Sequence, residues 1–362
     1  MGARICIVKL GALGDVLRTT TLLRGLHEAY PRCHLTWLTS LAAIPLLVPN
    51  RLIDRVLAMG LEAVLALTPE RFDLVISLDK EPAPTGLAVS LRADRKVGFG
   101  RSPYGSLCPL NDESRHCFQM GFDDELKFVR NLKSYPQLVY EMAGLRYARQ
   151  RYVFEPRPKD AHWARERLAQ AASAATFRDA APLVGLNVGA GPVYHAKCWH
   201  PAGFARLAVL LEGIGLRSVL LGGPDDRERM EAVRAATAAP VLSVGCEQDL
   251  RQFSGLVSCC DAIVTGDTLA MHLAIALDVP TVVLVGATSA QEIELYDRGE
   301  LMVADYPCSP CYLSKCDEAR RPPGRPHCLE AIAAETVADA VVRVLAKRRG
   351  RPSEPEERGR RS

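Results

Sequence analysis

The feature that most constrains this chain is a local grammar that occurs twice: a short apolar run, a Gly-rich turn, then a segment with helical spacing. Arg4-Ile-Cys-Ile-Val-Lys-Leu10 reads as a buried parallel strand, which shows a near-continuous apolar run rather than alternation. Gly11-Ala-Leu-Gly14 is the turn. Val16, Leu22, Leu23 and Leu26 then keep helical spacing from Asp15 to about Tyr30, where Pro31 stops the helix. The grammar restarts at Leu183, with a strand to Val188, the turn Gly189-Ala-Gly191, and a helix from Pro201 to about Ile214. Further strands are expected at His34–Thr39, Arg55–Ala58 and Leu74–Ser77, and again at Ser218–Leu221, Val241-Leu242, Ala262–Thr265 and Thr281–Val285. Additional helices are expected at Asp160 to about Thr176, Asp267–Ala276 and Ala331–Arg348. Two successive runs of βα units imply an α/β chain with two doubly wound, Rossmann-like domains facing each other across a cleft.

Length and composition agree. At 362 residues the chain is too long for one ordinary core and comfortable for two. The expected division is 1–158, 159–346, and a disordered tail 347–362 rich in Arg, Glu and Pro. Phe154-Glu-Pro-Arg-Pro158 reads as the linker. Aromatic residues make up 6% and the net charge is +3, so neither a base-stacking platform nor a polyanion-binding surface is indicated, and no nucleic-acid partner is expected. No apolar run approaches the ~18 residues of a spanning helix, and Ile5–Leu10 is too short for a signal peptide. The expected location is cytoplasmic, where the 12 cysteines stay mostly reduced. Residues 92–147 resist a reading. They are Gly-rich around Gly98-Phe-Gly100 and dense in cations (Arg92, Arg95, Lys96, Arg101, Arg115, Lys127, Arg130, Lys133), which suits either a solvated surface or a site for an anionic ligand.

Four groups of residues bear on chemistry. Asp15 follows the first turn, at the carboxyl end of a strand, where open α/β sheets bind ligands. The turn is not G-x-G-x-x-G, so a dinucleotide reading is poor. Asp15 either caps its helix or serves as a general base facing the cleft. In Thr265-Gly-Asp-Thr-Leu-Ala-Met-His272, a strand ends and a helix begins near Thr268. The unpaired N–H groups of that first turn suit a phosphate, and Asp267 stands ready for ribose hydroxyls or for capping. His272 lies one turn further, as ligand-facing or structural. Gly189-Ala-Gly191 permits close backbone approach to an anion, and Lys197 supplies a point charge for a leaving phosphate or lies on the surface. Finally, Cys308-x2-Cys311-x4-Cys316-x11-Cys328, with His327 adjacent, gathers four thiols in one loop. Such spacing favours a structural zinc ion or iron–sulfur cluster over a disulfide or plain packing, although the gaps match no common zinc module.

Taken together these motifs resemble glycosyltransferase family 9, the ADP-heptose:lipopolysaccharide heptosyltransferases, from about residue 4 to 348. The residues that carry the resemblance are Lys9-Leu-Gly-Ala-Leu-Gly-Asp-Val16, Lys197-Cys-Trp-His-Pro201, and Asp267-Thr268 followed by His272 and Ala274. The resemblance implies a GT-B fold, with an acceptor-binding first domain, a donor-binding second domain, and a last helix that crosses back to the first. It implies inversion at the anomeric carbon, no catalytic metal or other cofactor, Asp15 as base, and Lys197 on the donor pyrophosphate. Asp267, Thr268 and His272 would grip the donor, with Gly189 and the backbone of Leu269 and Ala270 beside it and Gln248 on the adenine side. The implied donor is ADP-heptose and the implied acceptor a lipopolysaccharide core or similar glycolipid, with loose contact to the inner-membrane surface through the basic tail. The absence of any Asp-x-Asp pair agrees with a metal-free reaction. Leu269 stands where the family usually has Gly. This leaves open a different nucleotide sugar with a non-lipopolysaccharide acceptor and, as another class, a non-catalytic nucleotide-binding protein with a cysteine-held metal.

Overall fold

The structure is a computed structural model that describes residues 2–173, 181–191, 193–317 and 327–349. Two six-stranded sheets organise it. The first contains β1 (Arg4–Val8), β2 (His34–Thr39), β3 (Arg55–Ala58), β4 (Arg71–Ser77), β5 (Arg92–Arg101) and β6 (Leu107–Pro109), in the order β3-β2-β1-β4-β5-β6. The second contains β7 (Leu183–Asn187), β8 (Arg217–Leu221), β9 (Val241–Ser243), β10 (Ala262–Gly266), β11 (Thr281–Val285) and β12 (Gly299–Val303), in the order β9-β8-β7-β10-β11-β12. The two orders are the same permutation, that of a doubly wound sheet. Every pairing is parallel except β5 with β6.

This order places the site. A doubly wound sheet opens a crevice where its strand order reverses, beyond the carboxyl ends of the two central strands. Here those strands are β1 and β4 in one sheet and β7 and β10 in the other. The turns that follow β1, β7 and β10 carry Asp15, Gly189 and Asp267.

Several elements differ from the sequence-based expectations. The helix expected from Asp15 to Tyr30 is two helices, Leu13–Thr19 and Leu22–Ala29. Thr19-Thr20-Thr21 breaks it. Thr20 Oγ1 donates to the Leu17 carbonyl at 2.6 Å and accepts from the Val153 N–H at 2.9 Å, and such local bonds compete with the helix ladder. The 92–147 segment contains a strand that sequence patterning hid: the first half of β5 is charged and open, and only Val97–Gly100 is buried. Gly98 is required there, since it has a φ of +94° and lies against the Ser77 backbone. The last helix runs Ala334–Arg349, so the expected tail starts inside it, and 350–362 lie outside the described residues. That helix packs on its own domain rather than crossing back. Val337, Val341 and Val344 are buried in one cluster with Phe204 and Leu207, each contributing about 1.5–3 kcal/mol by leaving water. Its apolar stripe is thereby consumed.

The linker is not open chain. Tyr152 and Phe154 are buried with Leu17 and Leu46 of the first half and Leu256 and Met271 of the second, in one core cluster. Among the described residues, no helix is long and apolar enough to cross a membrane.

Candidate active site

The two halves enclose a cleft of about 700 Å³. Gly14, Asp15 and Arg18 line one wall. Gly189, Lys197, Gln248, Asp267, Thr268, Leu269, Ala270 and His272 line the other. The candidate site residues of the sequence, apart from the cysteines, therefore meet in one place.

Asp15 does not cap its helix. Ala12 is the capping residue, and Asp15 sits inside the first turn. Its carboxylate lies 2.9 Å from Arg18 and 3.8 Å from Lys9. Burial pushes its pKa up, but Arg18 first and Lys9 next pull it down further, and the net shift is downward. Asp15 is thus ionised throughout the neutral range. Lys9 is fixed by Asp79, whose Oδ1 lies 2.6 Å from Nζ and whose carboxylate also accepts the N–H groups of Leu10 and Gly11. Asp79 therefore shapes the turn and delivers a cation to Asp15. Sequence reasoning missed this, although Asp79 follows the carboxyl end of β4 at the switch point, where a ligand-side residue is expected.

On the facing wall, Lys197 Nζ lies 3.0 Å from Asp267 Oδ2. Burial raises the Asp267 pKa, but Lys197, then His272 and Arg18, more than reverse this and bring it to about 2. The helix Leu269–Ala276 is capped by Thr268 without a side-chain hydrogen bond, leaving its first-turn N–H groups open to the cleft. Thr268 Oγ1 is instead held by Asn187 Nδ2 at 3.2 Å and Thr265 Oγ1 at 3.0 Å, so a network missed by sequence reasoning orients that corner. Gly189 has no room for a side chain because the Asp226 carboxylate occupies that position. Gln248 lines the cleft and donates to the Gly222 carbonyl at 2.7 Å, while among the described residues its buried Oε1 has no partner.

His272 joins the two walls. Its ring lies where a Cβ on Gly14 would be, so the donor-side helix packs directly on the Asp15 turn. Burial lowers its pKa to about 4, despite the partly opposing pull of Asp267. His272 is therefore neutral at pH 7. Between pH 6.5 and 4 the unfolded state binds a proton here that the folded state does not, so stability falls as pH drops through that window. The expected loss is roughly 3 kcal/mol, with a His272→Gln variant showing a flatter slope. Denaturant titrations at pH 7 and pH 4.5 would check this, and equal slopes for the two proteins would contradict it.

The cysteines behave differently. Among the described residues no two cysteines are joined in a disulfide. Cys308, Cys311, Cys316 and Cys328 line a small second pocket with Asp317 and His327. Burial pushes Cys328 up to about 11, whereas Cys316 is exposed. Among the described residues, no group of three or more His, Cys, Asp or Glu side chains is placed to hold a metal ion. The loop nevertheless braces the cleft. The Cys311 and Tyr312 N–H groups donate to the Ala287 carbonyl, and the Ala196 N–H donates to the Ser314 carbonyl beside Lys197.

Residues 65–320 match the model of Glycosyltransferase family 9 (heptosyltransferase). The chain belongs to glycosyltransferase family 9. It is 26% identical over 305 residues to lipopolysaccharide heptosyltransferase 2 of Salmonella typhimurium, covering 79% of this chain and 83% of the relative. A family 9 glycosyltransferase from Veillonella parvula superposes with a TM-score of 0.72 at 21% identity, covering 95% of this chain and 97% of that one. An E. coli heptosyltransferase solved with ADP-2-deoxy-2-fluoro heptose gives a TM-score of 0.59 at 17% identity, covering 94% and 99%. The two-sheet architecture is thus that of GT-B family 9 enzymes. Membership makes this chain a glycosyltransferase and sets aside the non-catalytic reading.

Proposed function

We propose that this family 9 enzyme moves a heptose from ADP-heptose to a lipopolysaccharide core or similar glycan acceptor, by single displacement with inversion and without a catalytic metal. One observation carries the reading: an ionised Asp15 faces, across one cleft, an open helix N-terminus flanked by Lys197. The Salmonella and E. coli relatives support the choice of donor and acceptor. The acceptor hydroxyl attacks the anomeric carbon from the first-domain side. Its oxygen forms the new glycosidic bond, its proton passes to Asp15, and the bond to the donor diphosphate breaks with its electron pair leaving on ADP. Asp15 is a weak base, held below the ordinary carboxylate pKa. It suits a late proton transfer, after bond formation has acidified the hydroxyl. The developing charge on ADP meets the helix N–H groups after Asp267 and the Lys197 ammonium, groups fixed before the reaction begins. Asp267 keeps Lys197 in place through Oδ2, and its Oδ1, 3.8 Å from His272 Nε2, is the edge offered to ribose hydroxyls.

Leu269 motivates the alternative, another nucleotide sugar with a non-lipopolysaccharide acceptor. Thermal-shift titration with ADP-, GDP- and UDP-sugars separates the two. The expected result is stabilisation by the ADP-sugar alone, at about 2.7 kcal/mol for ligand at a hundred times its Kd. A larger shift with UDP- or GDP-sugar would reject the heptose donor. Product NMR should show inverted anomeric configuration, and transfer should persist in EDTA. Retained configuration, or loss of turnover restored by Mg²⁺, would remove the mechanism.

The four thiols line one pocket without being gathered about a metal, but their chemistry is that of a zinc or iron–sulfur donor set, and we extend the proposal to a structural metal that would draw them together, outside the chemistry. Elemental analysis showing well under one equivalent of bound metal in the native protein would remove it. A glycolipid acceptor would also bring the enzyme to the inner-membrane surface, with 347–362 as the contact. Equal vesicle binding after deletion of 350–362 would exclude the tail.

A further inference from the structure

Arg18 stands where the two halves of the cleft meet, and a carboxylate from each half claims its charge. It lies on the Asp15 helix, Leu13–Thr19, and lines the cleft. Its guanidinium rests 3.5 Å from the centre of the Tyr135 ring, a face that orients the planar fork. Tyr135 is held in turn. Its hydroxyl lies 3.0 Å from Thr19 Oγ1, which donates to the Asp15 carbonyl at 2.7 Å. The two ends of the fork serve different carboxylates. Nη2 lies 2.9 Å from Asp15 Oδ1, and Nη1 lies 3.9 Å from Glu292 Oε2 on the donor half. Nε is buried and, among the described residues, has no hydrogen-bond partner.

Glu292 also lines the cleft, at the end of the short turn Ala290–Glu292 that follows β11. Its Oε1 accepts from the Tyr312 hydroxyl at 3.1 Å. Lys80 and Lys127 act on it from the first half, with the Lys127 ammonium 3.4 Å from the centre of the Tyr312 ring. The two contacts of the fork are unequal. The Asp15 contact has full hydrogen-bond length, whereas the Glu292 contact is about 1 Å longer than such a bond. A guanidinium on a ring face can shift parallel to that face, so an approach of the donor half would draw it from one carboxylate toward the other. Clefts that enclose a substrate between two domains commonly close in this way. Asp15 also faces Lys9 at 3.8 Å, His272 and Asp267, and Arg18 also faces Asp267. Of the cations around Asp15, Arg18 does most to offset the burial of its carboxylate.

We propose that Arg18 is a positioning residue that couples the seating of the donor to the base: it fixes Asp15 until the donor half closes, then turns toward Glu292 and loosens its hold on that carboxylate. This rests on the reading of Asp15 as the base. Glu292→Gln leaves the fork wholly on Asp15. It should slow single-turnover transfer at pH 7 about three- to tenfold, as for a base held too weak, with ADP affinity unchanged. Arg18→Met should carry a different signature. Between about pH 8 and 5.5, where His272 stays neutral, wild-type transfer should be level and the variant should lose rate on acidification. The carboxylate 13C signal of Asp15, assigned by its loss in Asp15→Asn, should titrate at higher pH in Arg18→Met than in wild type. Arg18→Lys keeps a cation for Asp15 but has no fork to share. It should restore the level profile and abolish the effect of Glu292→Gln, an arm that decides the matter even if Arg18→Met fails to fold. A plain structural brace would give additive losses and a level profile throughout. Equal effects of Glu292→Gln in wild type and in Arg18→Lys would overturn the proposal, as would an Asp15 signal that titrates alike in wild type and Arg18→Met. Retained transfer in Asp15→Asn would instead remove the base reading, while the carboxylate titration would still report whether Arg18 governs Asp15.

Discussion

Asp15→Asn is expected to lower transfer by about 10³-fold or more, within the range for loss of a general base, while donor binding stays within a few-fold of wild type. Asparagine keeps the shape of the side chain and its place beside Arg18, but cannot accept the acceptor proton. Arg18 still has Glu292 at 3.9 Å, so no cation is stranded by the change. Single-turnover rates with saturating donor isolate the chemical step, and calorimetry with ADP reports binding. The split matters, because a merely structural Asp15 would show lost donor binding or lost stability together with lost rate. Transfer within tenfold of wild type would remove Asp15 from the role of base.

Lys197→Met is the second large effect. Removing one preorganised group from a developing oxyanion costs about 10²–10³ in kcat, and the Lys197 ammonium is aimed at the leaving diphosphate. The substitution also removes the main stabiliser of the buried Asp267 carboxylate. In wild type, Asp267 titrates at about 2 rather than its ordinary 3.8. A depressed carboxylate pKa contributes stability that is present above the unfolded value and is lost as pH falls through the folded one. That contribution is on the order of 2 kcal/mol at neutral pH, fading between about pH 4 and 2. Without Lys197 it shrinks, so the variant should lose stability at pH 7 and show a weaker acid dependence. Equilibrium unfolding at pH 7 and pH 3, run beside steady-state kinetics, separates the catalytic loss from the structural one. A variant with near-normal kcat would detach Lys197 from the leaving group.

Much of the frame was readable from the residues. The strands at Arg55–Ala58 and Thr281–Val285 have the expected bounds, because a flanked run of β-formers leaves little choice. The positions of Asp15, Gly189 and Asp267 followed from one rule, that ligands sit beyond strand carboxyl ends. Asp79 obeyed the same rule but went unread, because its importance depends on β4 lying beside β1. The contact of His272 with Gly14 joins helices from the two halves of the chain, and no local pattern encodes it. Asn187, Glu292 and Tyr312 were likewise invisible as partners of Thr268, Arg18 and Lys127. The threonine run at 19–21 did carry a signal, in three β-branched hydroxyl residues, and the helix breaks there. The charged start of β5 concealed a strand because its apolar half is only four residues long.

A structure with intact ADP-sugar bound tests the central claim most directly. The account predicts the diphosphate against the first-turn N–H groups of Leu269–Ala276 and the Lys197 ammonium, the ribose at Asp267, and the anomeric carbon turned toward Asp15. A diphosphate bound elsewhere in the cleft, or an anomeric carbon shielded from Asp15, would contradict it.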